Sequence, residues 1–327
     1  MEFVVGVDGG GVKTEAVVAS IEGEVLGVGY GGAANINIAS RSVVEESLRK
    51  AIQTAISRAG VSGKALLAVL GIAGTERKRC SDIIWDIARK LDFSERLIIT
   101  SDALIALAAA TQMKPGIIVI SGTGSIALGI DEYGNIARAG GWGYLLDDEG
   151  SGYWIGLKAL REVMRAYDGR GRSTALTTAV LEHLNLNSIE DLVTSVYSGE
   201  VELREIASLS KVVVKCAEMG DEVALKIVDE AGAKLAEMIA AVARKLRFKE
   251  KIDLYVFGGV FRAGSLILKP LTQKLGELKV KVELKKPRFK PVIGAIILAI
   301  QNLGLDVERT MVNLRRTAKR WGLTYES

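Results

Sequence analysis

The sequence predicts an α/β protein of two domains, and three observations carry that reading. Short apolar strands followed by alternating helices and strands fill the first 115 or so positions. Pro115-Gly116 then punctuates the chain, and a second run of three strands begins. Each run opens in the same way, with a strand, a glycine-rich turn and another strand.

In the first run, Phe3 to Val7 and Thr14 to Ile21 are β-branched and apolar, and Glu22-Gly23-Glu24 turns the chain into Val25 to Tyr30. A helix begins near Ser42, which forms an S-x-x-E capping box with Glu45. Its apolar stripe is Val44, Leu48, Ala51, Ile52, Ala55 and Ile56, and Gly60 ends it. Strand Leu66 to Ile72, helix Glu76 to Leu91, strand Leu97 to Thr100 and helix Ala103 to Gln112 complete a βββαβαβα unit. In the second run, Ile117 to Ile120, Ser125 to Ile130 and Asn135 to Ala139 read as strands. Residues from Gly150 to about Phe248 are helical by the spacing of Ile155, Leu160 and Met164, and again of Ile227, Ala231, Leu235 and Ile239. Strand Leu254 to Phe257, helix Leu266 to Leu275, strand Val280 to Leu284 and helix Val292 to Asn302 close the pattern.

A chain of 327 residues, 49% of them hydrophobic and 25% charged, is long enough for two ordinary cores. The net charge of +4 is small for this length. The basic clusters Lys285–Lys290 and Arg309–Arg320 have few interleaved aromatics, Phe289 alone, and read as solvated faces, so no nucleic-acid partner is expected. Cys80 and Cys216 are far apart without metal-ligand spacing, which fits a reducing compartment. No signal peptide is read at Met1, and no apolar run reaches the roughly 18 residues of a membrane span, so a cytoplasmic location is expected. The single histidine, His183, lies in the helical stretch and reads as structural, as do Trp85 and Trp321.

Five stretches carry chemistry. The first, Val5 to Thr14 (VGVDGGGVKT), spaces Gly6 and Gly11 like a P-loop. However, Val12 intrudes before Lys13-Thr14, and the residues that follow are strand-like rather than helical, so the helix N-terminus that a P-loop needs is missing. What remains is Asp8 at a strand end, with glycines whose backbone N–H groups can approach an anion, or else an ordinary hairpin. The second, Ile120 to Ser125 (ISGTGS), stands in the matching position of the second half and favours the anion-binding reading for both. The third, Thr100-Ser101-Asp102, places an aspartate at a strand-to-helix junction, either as a cap or as a general base. The fourth, Gly140 to Trp154 (GGWGYLLDDEGSGYW), combines dense glycines with three adjacent acids. These acids form either a shaped loop or the acidic first turn of the next helix. The fifth, Phe257-Gly258-Gly259, is a tight strand-to-helix turn or an opening onto a helix N-terminus.

With these five stretches in this order, the chain resembles the sugar kinases of the actin/hexokinase/Hsp70 superfamily, and within it the N-acetylglucosamine kinases and related archaeal hexokinases. The resemblance runs from Phe3 to about Gln301, and the GWG…DDEGSGYWIG block is its most diagnostic part. It implies two ribonuclease-H-like (actin-like ATPase) domains closing over ATP and a sugar. The first would be residues 1–115 plus about 291–304, returned by the last helix. The second would be 116–290 with a helical insertion, and 305–327 would be an appended tail. The resemblance places Asp8 near Mg²⁺, and Gly9, Gly10, Gly11, Lys13 and Thr14 around the phosphates. Gly122, Thr123, Gly124 and Ser125 would form a second phosphate loop, and Gly258 and Gly259 would flank the adenosine. Asp102 matches the catalytic base. Asn35, Gly122, Trp142, Gly143 and Asp148 match sugar contacts. The chain departs from the family pattern at Gly11-Val12, where a threonine is common, and at Asp147, where a glycine is common.

The implied reaction is transfer of the γ-phosphate of ATP to the 6-hydroxyl of a hexose or hexosamine. N-acetylglucosamine is the first expectation, with glucosamine and glucose as alternatives, and a homodimer is expected. Two rivals share the fold. One is an iron–sulfur ATPase activating 2-hydroxyacyl-CoA dehydratases or benzoyl-CoA reductases, for which Cys80 and Cys216 offer no cluster spacing. The other is a sugar-sensing regulator, for which no helix-turn-helix is read ahead of Phe3.

Overall fold

The structure, a computed structural model, describes residues 1–325; the last two positions of the expected tail lie outside the described residues. The chain divides into two compact units, Met1–Lys114 with Lys286–Ser327, and Pro115–Lys285.

The first unit is built on a five-stranded sheet: β1 (Phe3–Gly9), β2 (Thr14–Ser20), β3 (Val25–Gly31), β4 (Ala65–Ile72) and β5 (Ser94–Thr100). The order is β3-β2-β1-β4-β5, with the first three strands antiparallel and β1, β4 and β5 parallel. Helices α1 (Arg41–Ala59) and α2 (Lys78–Leu91) share a core with one face of the sheet, and α3 (Asp102–Thr111) with the other. Alternate glycines on β3 let α1 lie directly on the strand: a Cβ at Gly29 would stand 2.0 Å from the Ala51 carbonyl oxygen.

The second unit repeats the scheme. Strands β6 (Gly116–Ser121), β7 (Ser125–Ile130), β8 (Ile136–Gly140), β9 (Ile252–Phe257) and β10 (Val282–Lys285) are ordered β10-β9-β6-β7-β8. Counted within its own unit, each sheet therefore runs 3-2-1-4-5, the ribonuclease-H-like order. Five helices stand between β8 and β9: α4 (Gly152–Tyr167), α5 (Leu176–Leu184), α6 (Ile189–Ser198), α7 (Leu203–Glu218) and α8 (Glu222–Lys245). They join β6 and β7 in one core, and α9 (Ser265–Glu277) completes it.

Three local expectations are corrected. Ser40, not Ser42, caps α1: its extended backbone precedes the helix and its Oγ accepts the Val43 N–H at 3.4 Å. Glu45 forms no capping box; it pairs instead with Arg49 and Lys90, each at 2.7 Å. The segment after Gly304 is not appended. It forms α11 (Val307–Arg320), which follows α10 (Pro291–Asn302) and seats Met311, Leu314 and Ala318 in the first unit's core. Their spacing places all three on one helix face.

Candidate active site

In the first unit, the groups singled out from the sequence converge at the carboxyl ends of the parallel strands. Asp8 sits one residue before the end of β1, opposite Gly71 on β4, which in turn pairs with Thr100 on β5. A tight turn follows, closed by the Gly10 N–H donating to the Lys13 carbonyl at 2.9 Å. The chain then enters β2, a strand, which excludes the P-loop geometry in the structure as in the sequence.

Backbone bonds tie the neighbouring loops to this turn. The Ala34 N–H donates to Gly10 O and the Ala73 N–H to Gly9 O, both at 2.9 Å. Asn35 is thereby fixed beside the turn, and its Oδ1 accepts the Asn37 N–H at 2.9 Å. Thr75 Oγ1 lies 2.8 Å from Ile72 O and 2.9 Å from Thr100 O, joining the ends of β4 and β5.

Ser101 caps α3, its Oγ accepting the Leu104 N–H at 3.2 Å. Asp102 is thus the first helical residue rather than the cap, and its Oδ1 accepts its neighbour's N–H, from Ala103 at 2.9 Å. Burial, reinforced by the charge of Glu76, raises its pKa from 3.8 to about 6. Burial and then the charges of Asp102 and Glu15 raise Asp8 to about 7, with Lys13 acting in the opposite sense. Two neighbouring carboxyls with raised pKa values at strand ends are the signature of a functional centre.

In the second unit, the turn Gly122–Gly124 follows β6, with the Gly122 N–H donating to Gly124 O at 2.9 Å. The loop Gly140–Gly152 holds it from behind. Ser121 Oγ donates to Gly150 O at 2.8 Å, and Ser125 Oγ donates to Glu149 O at 2.7 Å. The buried Asp148 accepts the Ser125 N–H at 3.3 Å. The Gly152 N–H, in the first turn of α4, donates to Gly122 O at 2.7 Å. Gly258 follows β9 with φ at 103°, and a Cβ there would stand 2.1 Å from Ser121 O. Gly122 and Gly259, by contrast, face open space, and Thr123 is exposed. Gly258 and Gly259 lead into a single 3-10 turn, Gly259–Ala263, which precedes α9.

The hydroxyls of two expected phosphate contacts bond within their own units. Thr14 is fully buried and its hydroxyl donates to Gly32 O at 2.7 Å. Ser125 has both its N–H and its hydroxyl engaged within the loop. Each hydroxyl braces the start of the second strand of its unit.

One contributor, Arg138, was missed in the sequence, and the role of Asp147, noted there only as a departure, becomes visible. Arg138 on β8 stacks 4.2 Å from the centre of the exposed Trp142 ring and donates to Gly140 O. Asp147 accepts the Trp142 N–H at 3.2 Å, so the acid that departs from the family pattern holds the tryptophan's backbone. An arginine two residues before a Gly-Gly pair was the available signal for the first.

Among the described residues, no group of three or more His, Cys, Asp or Glu side chains forms a metal cage. The Asp8–Glu15 pair, with Glu15 Oε1 buried and without a hydrogen-bond partner among the described residues, suits a hard cation that keeps most of its water. No helix among the described residues is long and apolar enough to cross a membrane.

Comparison with known proteins places this geometry in context. The model of the BadF/BadG/BcrA/BcrD ATPase family matches residues 5–299. The chain is 36% identical over 301 residues to the N-acetylmuramic acid/N-acetylglucosamine kinase of Clostridium acetobutylicum, covering 91% of this chain and 98% of that one. It is 31% identical to the N-acetyl-D-glucosamine kinase of Dictyostelium discoideum, over 92% and 98%. The crystal structure of a candidate N-acetylglucosamine kinase from Chromobacterium violaceum superposes with a TM-score of 0.73 at 26% identity, covering 92% of this chain and 99% of that one.

Proposed function

Since the chain belongs to the BadF/BadG/BcrA/BcrD ATPase family, we propose that it is an ATP-dependent kinase transferring the γ-phosphate to the 6-hydroxyl of N-acetylglucosamine. The observation that carries this reading is Asp102, a carboxylate at a strand end whose capping duty is taken by Ser101 and whose pKa is raised to about 6. Its proton affinity suits a base that works near neutral pH.

Phosphoryl transfer asks the protein for positioning and for charge neutralisation. Asp102 accepts the proton of the sugar hydroxyl as that oxygen attacks the γ-phosphorus in line. The Asn35 amide, held beside the opening turn, orients the sugar ring, and Trp142 and Gly143 bound the sugar from the loop that Asp147 and Asp148 brace. The Gly9–Gly11 turn, with Lys13, serves the phosphates. Gly122, Thr123 and Gly124 form the second phosphate loop, and Gly259 leaves room for the adenosine. Asp8 would hold Mg²⁺ through water; when bound, that ion neutralises charge on the phosphate oxygens. The relatives' names support the substrate class, one covering N-acetylmuramic acid as well as N-acetylglucosamine.

The iron–sulfur reading fares worse. Cys80 and Cys216 are buried and lie in different units, so neither presents a thiolate at a surface. A cytoplasmic homodimer remains part of the proposal, testable by light scattering. The deciding experiment is a coupled ADP-release assay with ATP and Mg²⁺ across N-acetylglucosamine, N-acetylmuramic acid, glucosamine and glucose. Turnover highest with N-acetylglucosamine is expected, and no sugar-dependent ADP release would overturn the proposal.

A further inference from the structure

Glu15 is the only charged residue of β2, a strand buried along its whole length. It is 2% exposed, and its Oε1 has no hydrogen-bond partner among the described residues. Antiparallel register sets it opposite Asp8 on β1 and opposite Tyr30 on β3, so the three side chains share one face of the sheet. Further down that face, Gly6 packs against Val292, Ala295 and Ile296 of α10, and Val17 and Ala19 join the same core. Asp8 and Glu15 lie beyond this apolar floor as adjacent acids. Among the described residues, neither forms an ion pair with a lysine or arginine.

The C-terminal segment reaches the same corner. After α11 the chain buries Leu323 and returns along the segment preceding α10. The Lys290 N–H donates to Leu323 O at 2.9 Å, Phe289 bridges to Thr324, and the Tyr325 N–H donates to Arg288 O at 2.9 Å. Tyr325 thereby comes within electrostatic reach of both acids: after burial, the charges of Asp8 and Glu15 are what raise its phenol pKa. The family match stops at residue 299, so Leu323, Thr324 and Tyr325 lie outside it while their partners Arg288, Phe289 and Lys290 lie within it.

A buried carboxylate oxygen without a donor bears the full desolvation cost of that atom, so its retention calls for a partner supplied from outside. Lys13 is exposed on the turn. The Tyr30 phenol hydrogen-bonds the Glu15 carboxylate but leaves Oε1 without a donor, and a hydrated divalent cation presents outward-pointing water protons that such an acceptor can receive. We propose that Glu15 is a positioning residue for the cation's water shell, acting beside Asp8 in a corner that Tyr325 of the C-terminal segment closes. This rests on the kinase reading for the role of the cation, but its test does not depend on turnover.

The probe is Mn²⁺, titrated into the full-length protein with and without ADP and followed by electron paramagnetic resonance. Glu15→Gln keeps the shape and removes the charge; it is expected to weaken Mn²⁺ binding roughly 10–100-fold, as loss of outer-shell partners typically does. Tyr325→Ala is expected to weaken it in the same direction by less. Tyr325 is 43% exposed, so this variant should fold and decides the matter if Glu15→Gln does not. Unchanged Mn²⁺ affinity in the variants that fold, or no Mn²⁺ binding by the wild type, overturns the proposal. Mn²⁺ binding that depends on Glu15 in a protein without sugar turnover would instead uphold this inference and sink the kinase reading.

Discussion

Asp148 accepts the backbone N–H of Ser125 across 23 residues of sequence, with its own backbone held at φ 58°. That bond joins the acidic loop to the small-residue turn after β6. Removing the carboxylate by Asp148→Ala leaves a buried N–H unsatisfied and a Cβ residue without polar compensation in a left-handed conformation. A loss of about 1–3 kcal/mol is expected in urea denaturation, with a raised KM for ATP. Asp148→Asn retains an acceptor oxygen and tolerates the left-handed backbone, so it should recover most of both. Equal stability of Asp148→Ala and wild type would refute the bracing role.

Asp102→Asn removes the proposed base while preserving its size. Turnover should fall roughly 10²–10⁴-fold with ATP binding unchanged. In the wild type, the pKa near 6 means that the base is protonated, and idle, on the acid side. kcat/KM for the sugar should therefore drop as pH falls through about 6. Because Asp8 and Asp102 interact, the acid limb belongs to the pair rather than to one residue. An Asp102→Asn enzyme with near-normal turnover would refute the assignment.

The strand–turn–strand openings and the helical insertion were legible because period-2 and period-3.6 apolar patterns survive in the sequence. The roles within the turns were not. Thr14 and Ser125 look like phosphate ligands by type, yet their hydroxyls close on carbonyls 18 and 24 residues away. Such partners are set by tertiary packing, which local spacing cannot reveal. Glu15 did leave a trace, as an acid within the apolar run Thr14 to Ile21, but only the structure shows that one of its oxygens, Oε1, is buried without a hydrogen-bond partner among the described residues. The basic residues of α11 suggested a solvated helix, and they hid the apolar face formed by Met311, Leu314 and Ala318.

Gly258 and Gly259 are adjacent yet should respond oppositely to alanine. At Gly258 the new Cβ would collide with Ser121 O in a positive-φ backbone, so Gly258→Ala should disrupt the junction of β6 and β9, with a large loss of stability. At Gly259 nothing lies within 4 Å. Gly259→Ala should melt like the wild type and reveal any nucleotide contact as a raised KM for ATP alone. Thermal melts of the two variants with and without ADP check both halves, and a destabilised Gly259→Ala would contradict the open geometry.

The two acids should also make the ligand-free protein less stable as pH rises. Their folded pKa values, about 7 for Asp8 and about 6 for Asp102, exceed the ordinary 3.8, so the folded state binds more protons than the unfolded chain between these limits. The stability they contribute is complete below about pH 4 and is lost as pH rises through 6 and 7. Asp102→Asn abolishes the ionisation and should therefore be more stable than wild type at pH 8, by on the order of 1–2 kcal/mol after allowance for partial solvent screening. The gain should shrink toward pH 5. Urea midpoints at the two pH values, without metal or nucleotide, measure this directly. A variant less stable than wild type at pH 8 would show that the Asp102 carboxylate stabilises the fold, contrary to its burial at the end of β5 beside the charge of Glu76.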